Sequence, residues 1–385
     1  MCRALARISG LNEKNSRARQ AGRYAAAMRT LLILLCCAVL AGCDKRPSAE
    51  PEQPGKNAAK PEPAPLPTPA RDVVMSVPKA EVRTAEWYEE AAARGDAAAQ
   101  AKLAAMYAEG SDGVPKDEDK AIEWLRKAAV QDDVSAQARL GAMIAEGRIT
   151  PKDHAEAVAW MEKAAANGSA AAQSKLGVIF AGGLGVPRDE ARAAELIQKA
   201  AAQGHAVAQF NLGVMLATGK GISKDDAKAV EWYEKSAAQG YAAAEANLGG
   251  MYSEGLGVAK DEKKAVGWFQ MAAAQGHAVA QFNLAIRYAG GIGISKDEAT
   301  AAEWLQKSAS QGYPPAQFNL GVMYANGIGG PKDPVRAYVW YTLAARQNDP
   351  DAIGERNVMD TELTAAQKAE AQKILAELLG KMPGR

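Results

Sequence analysis

An all-α solenoid of antiparallel helix pairs is the fold this sequence predicts, and three observations predict it. Tryptophans stand at 87, 124, 160, 232, 268, 304 and 340, in steps of 37, 36, 72, 36, 36 and 36, with Leu196 filling the gap. A 36-residue period is the length of one helix-pair repeat. The composition is 48% hydrophobic and 24% charged but only 6% aromatic, with 36 glycines in 385 residues. That suits closely packed helices joined by glycine turns better than a sheet. Finally, the ten residues QGHAVAQFNL occur twice, at 203–212 and 275–284, two periods apart.

In chain order, the front end reads as an address. Residues 1–43 hold seven Lys/Arg and one Asp/Glu, which leaves 39 basic against 44 acidic residues from Asp44 onward. A basic beginning on a mildly acidic body is the pattern of an export signal. The formal net charge of +1 offers nothing to nucleic acid. The apolar run Leu31–Leu40 is too short for a transmembrane helix, which needs about 20 residues. Leu40-Ala41-Gly42-Cys43 resembles the bacterial lipobox, so residues 1–43 are expected to be a signal peptide, with Met28 as an alternative start. The resemblance implies lipid on Cys43, a membrane anchor in the cell envelope and a chain facing the periplasm; two or more acyl chains suffice for stable attachment. In such lipoproteins an acidic residue in the place of Asp44 implies inner-membrane retention, with the outer membrane as the alternative.

All four cysteines, Cys2, Cys36, Cys37 and Cys43, lie in that first stretch. The body therefore has no disulfide, thiolate nucleophile or cysteine metal site. Residues 44–79, with PEPAPLPTPA at 61–70, bury too little apolar surface to fold and read as a disordered tether. At about 3 Å per residue it reaches roughly 100 Å.

The repeat is clearest in AQFNLGVMYANGIGGPKDPVRAYVWYTLAARQ at 316–347. A first helix carries Leu320, Gly321 and Tyr324 on one face, a glycine-rich loop follows, and after Asp333 a second helix carries Ala337 and Trp340. Here the chain resembles the Sel1-like repeat family, a relative of the tetratricopeptide repeats. Residues 241–276 match its pattern, A-x-x-x-L-G-x-x-Y-x-x-G-x-G-V-x-x-D-x-x-K-A-x-x-W-x-x-K-A-A-x-x-G, nearly throughout. The likeness covers seven repeats over 97–348 and implies a right-handed superhelical solenoid with a concave groove. TAEWYEEAAARG at 84–95 resembles a second helix without its first, so 80–96 is expected to cap the array. Residues 349–385 read as a partial repeat plus a closing helix that opens with the Thr364-x-x-Gln367 capping box.

Each recurring residue has a mechanical reading. Leu at 103, 140, 176, 212, 248, 284 and 320 is core, and the Gly or Ala after it lets the neighbouring helix come close. Gly110, Gly147, Gly183, Gly219, Gly255, Gly291 and Gly327 end the first helices in left-handed conformation. Asp117, Asp153, Asp189, Asp225, Asp261, Asp297 and Asp333 stand where the second helix needs an N-cap.

That scaffold leaves little for chemistry. Acid–base catalysis needs two carboxylates within about 10 Å, and a solenoid spreads equivalent aspartates along its length. The Gly-x-Gly pieces follow no strand, so they are not dinucleotide loops. His205 and His277 sit two repeats, roughly 20 Å, apart at 8–10 Å per helix layer, which bars a shared metal ion; His154 stands alone. All three read as structural or surface residues. We expect no catalytic residue, no metal, no cofactor and no small-molecule substrate.

A binding surface is the better expectation. By resemblance to tetratricopeptide repeats, the margin of the first helix faces the groove. It carries Phe210, Phe282 and Phe318 with Val214, Ile286 and Val322 one turn on. The next position holds Lys102, Arg139 and Lys175, then Asn211, Asn247, Asn283 and Asn319. A basic N-terminal and an apolar, amide-bearing C-terminal groove would follow, holding a peptide or partner protein. The expected function is thus a non-enzymatic, lipid-anchored scaffold in envelope assembly or signalling. Alternatives are a binder or hydrolase of cell-wall or penicillin-like ligands, or a soluble cytoplasmic scaffold.

Overall fold

The computed structural model describes residues 84–146 and 151–381. The expected signal peptide, Cys43, Asp44 and the tether lie outside the described residues, as does Gly147. The described residues form 17 helices and no strand. α1 (Ala85–Ala93) stands alone at the start. Seven pairs follow: α2 (Ala97–Glu109) with α3 (Glu118–Ala129), α4 (Val134–Glu146) with α5 (Pro151–Ala166), α6 (Ala170–Gly182) with α7 (Glu190–Ala202), and α8 (Ala206–Thr218) with α9 (Asp226–Ala237). Then come α10 (Ala242–Glu254) with α11 (Glu262–Ala274), α12 (Ala278–Gly290) with α13 (Glu298–Ser310), and α14 (Pro314–Asn326) with α15 (Pro334–Ala345). α16 (Pro350–Glu362) and α17 (Ala365–Lys381) close the chain.

Consecutive helices pack on one another from α1 to α16, and α17 folds back onto α15. Local chemistry explains the ends of each helix. Gly110, Gly183, Gly219, Gly255, Gly291 and Gly327 terminate first helices at φ between 64 and 74°, a region that costs an L side chain energy but not glycine. Asp117, Asp189, Asp225, Asp261, Asp297 and Asp333 accept from backbone N–H groups one turn into the second helix. Those donors hold the Asp225 and Asp297 carboxyls below the usual range. Asp153 departs from the expectation. α5 begins at Pro151, whose fixed φ suits a first helical position, so Asp153 sits inside the helix rather than at its cap. The capping box of α17 forms as read: Gln367 N–H donates to Thr364 Oγ1, and Thr364 N–H donates to Gln367 Oε1 at 3.0 Å.

The seven core leucines are all at most 3% exposed. A Cβ added at Gly213 would lie 2.6 Å from the Tyr233 ring, with the same close approach at Gly249 to Phe269 and at Gly321 to Tyr341. Where the first helix carries Ala104 or Ala285 instead, the second carries Leu125 or Leu305. Gly141 and Gly177 meet Met161 and Ile197 at 2.6 Å in the same way, so a small residue on the first helix faces a large one on the second.

Candidate functional site

The margin positions of the first helices divide into two sets. Phe210, Val214, Phe282 and Ile286 are buried, along with Asn211 and Asn319, while Phe318, Val322, Asn247 and Asn283 are half-buried. The reason is the repeat that follows. Phe210 lies 5.9 Å from the Tyr233 ring of its own repeat and 5.1 Å from Tyr241 at the head of the next. Phe282 meets Tyr313 at 5.5 Å in the same way. Phe318 meets Tyr341, but the next helix is capped by Asp349, which brings no ring to cover it. The expected apolar groove is therefore interior packing at Phe210 and Phe282, and half-open only at Phe318 and Val322. Two of the amides bond within their own helices: Asn283 and Asn319 donate to the Val279 and Pro315 carbonyls. Lys102, Arg139 and Lys175 are exposed, and Arg139 reaches Glu109 of the preceding first helix at 3.2 Å.

Pattern reasoning missed a ladder of side-chain amides. Gln100, Gln137, Gln173, Gln209, Gln281 and Gln317, all buried, donate Nε2 to the carbonyls of Ala92, Ala129, Ala165, Ala201, Ala273 and Ala309 at the end of the preceding second helix. Each then accepts from an amide closing its own repeat, as in Gln203 to Gln173 and Gln239 to Gln209, both at 2.7 Å. The 36-residue recurrence of these glutamines was the available signal. The fifth repeat breaks it with Glu245, which is 1% exposed and accepts from Gln275 at 2.7 Å. Burial pushes its carboxyl up, against the pull of the Gln275 amide.

The histidines also gain a defined task. His205 and His277 are N-caps, their Nδ1 atoms accepting from Ala208 and Ala280 N–H at 3.2 and 3.3 Å. Asp96, Asp133, Ser169 and Asp349 cap first helices at equivalent positions. A neutral imidazole can accept there and an imidazolium cannot, and burial holds the His205 pKa below its ordinary value. His154 falls in the first turn of α5, where side chains are outside the described set. Among the described residues, no group of three or more His, Cys, Asp or Glu could hold a metal ion, and no helix is long and apolar enough to cross a membrane.

This geometry defines a class, the helix-pair repeat proteins, whose members serve as interaction scaffolds. A family profile described as "Sel1 repeat" matches residues 75–96, 97–133, 134–169, 170–205, 206–241, 242–277, 278–313 and 314–349. The chain belongs to the Sel1 repeat family. It is similar to a Sel1 repeat protein from Oxalobacter formigenes, with 36% identity over 70% of this chain and 77% of that one and a TM-score of 0.58. It is also similar to c5321, a protective antigen present in uropathogenic Escherichia coli strains, with 34% identity over 77% of this chain and 71% of that one and a TM-score of 0.48. No curated protein matches the chain.

Proposed function

We propose that this protein is a non-enzymatic scaffold that holds a peptide or partner protein against its first helices, tethered to the periplasmic face of a bacterial membrane through lipid on Cys43. The observation that carries the binding half is the row of Lys102, Arg139 and Lys175, exposed at one position of three successive first helices. An acidic stretch of the partner would lie along that row, and its apolar end would meet Phe318 and Val322. Buried Phe210 and Phe282 set the shape of the surface rather than touching the partner. The anchoring half rests on the Leu-Ala-Gly-Cys ending behind its apolar run.

In-cell crosslinking followed by affinity capture tests both halves. Exposed charges tolerate reversal, so the triple variant Lys102→Glu, Arg139→Glu, Lys175→Glu is expected to fold and to lose its principal crosslinked partner. An unchanged partner set would refute the surface. Cys43→Ala is expected to release the protein from the membrane fraction; unchanged membrane association would refute lipid attachment there.

A further inference from the structure

Five of the seven second helices carry a lysine on a shared outer face, four of them with an acidic partner, and two helices carry neither charge. At one residue before and three after the tryptophan position, α3 carries Glu123 and Lys127, α7 Glu195 and Lys199, α9 Glu231 and Lys235, and α13 Glu303 and Lys307; α5 carries Ala159 and Lys163. Lys127, Lys163, Lys235 and Lys307 sit over the rings of Trp124, Trp160, Trp232 and Trp304 at 3.9 to 4.4 Å. Each half-buried indole is thus roofed by a solvated charge.

α15 is the first exception, with Val339 and Leu343 in place of the charges. There α17 lies across the face: Val335, Val339, Trp340 and Leu343 form one cluster with Ala371, Ile374, Leu375, Leu378 and Leu379. Trp340 is fully covered, whereas the other second-helix tryptophans are half-open. α11 is the second exception, with Gly267 and Met271. Among the described residues no helix covers it: a side chain at Gly267 would meet open space, and Met271 is 50% exposed.

We propose that the outer face of α11, at Gly267, Trp268 and Met271, docks an amphipathic helix of a partner protein, as α15 docks α17. The chain itself names the occupant. In the one other second helix that lacks a charge at both positions, a helix with aliphatic side chains at i, i+3, i+4 and i+7 covers the tryptophan. Glycine in the place of Val339 lets a helix backbone approach closely, and an unbranched methionine adapts to whatever packs on it. The site lies on second helices, so it stands apart from the first-helix surface proposed above, and either can fail without the other.

The probe is a fluorescently labelled peptide with the sequence of residues 364–381, titrated into the full chain and read by anisotropy. Gly267→Glu combined with Met271→Lys rebuilds the charge pair of α3, α7, α9 and α13, so the fold is retained; circular dichroism checks it. The wild type and Met271→Leu are expected to bind the peptide alike, and the double variant at least roughly tenfold more weakly. No binding by the wild type, or equal binding by the double variant, would overturn the proposal. So would a dimer in sedimentation that the double variant abolishes, since a second copy would then be the occupant.

Discussion

Glu245 is the residue at which local chemistry and repeat pattern disagree most. Its counterparts are amides that donate to a helix-terminal carbonyl and accept from the next amide at once. An ionised carboxylate can only accept, so it has no proton for the Ala237 carbonyl. Protonated, it regains the donor. The pKa is raised by burial, so the folded state binds the proton more tightly than the unfolded chain does. The stabilisation is fully present below the ordinary glutamate range near 4.5 and is lost as pH rises through the raised value. His205 acts in the opposite sense. Its pKa is lowered from 6.5, so the unfolded chain takes the proton first, and stability falls as pH drops below that value. Glu245→Gln is therefore expected to raise stability at pH 7 by about 1–3 kcal/mol. It should also remove Glu245's contribution to the difference in stability between pH 7 and pH 5, leaving the opposite contribution of His205. Denaturant midpoints at the two pH values measure this; a variant no more stable at pH 7 would show that the ladder tolerates the charge.

At the scale of the element, the doubled QGHAVAQFNL is the joint between two repeats. Its histidine caps the incoming first helix, its glutamine enters the amide ladder, and its phenylalanine waits for the tyrosine of the repeat after. That alternation of a His-capped helix bearing Phe with a Tyr-headed helix explains why the identity recurs at two periods rather than one. Phe210→Ala removes a ring that is 3% exposed and packed at a tilt between two tyrosines, so it should cost about 3–5 kcal/mol. Phe318→Ala, at a half-open site, should cost clearly less. Equal losses in urea unfolding would mean that exposure does not separate the two positions. The repeat register was legible in the sequence because capping, core and close-contact residues recur at fixed spacing. Which margin residues face solvent was not legible. It depends on the ring that the following repeat supplies: Tyr241 covers Phe210, whereas nothing at Asp349 covers Phe318.

Across the described residues, stability should be nearly one-dimensional, because helices pack on their near sequence neighbours, with α4 also touching α6 and α17 lying on α15. In such an array each unit is held by the interfaces on either side, and the ends depend on caps. α1 supplies Ala91 and Ala92 to the first repeat's core with Ala99 and Leu103. α17 supplies the cover for Val339, Trp340 and Leu343. Truncation after Leu363 would expose those three side chains to water and lower the local opening free energy of α14 and α15 by roughly 2–5 kcal/mol. The effect should fade within a repeat or two, since no contact carries it further. Amide hydrogen exchange resolves this directly: protection should fall in α13 to α16 and stay unchanged in α2 to α7. A uniform loss from end to end would instead mean that the solenoid unfolds as one cooperative block, and that the closing helix stabilises all of it.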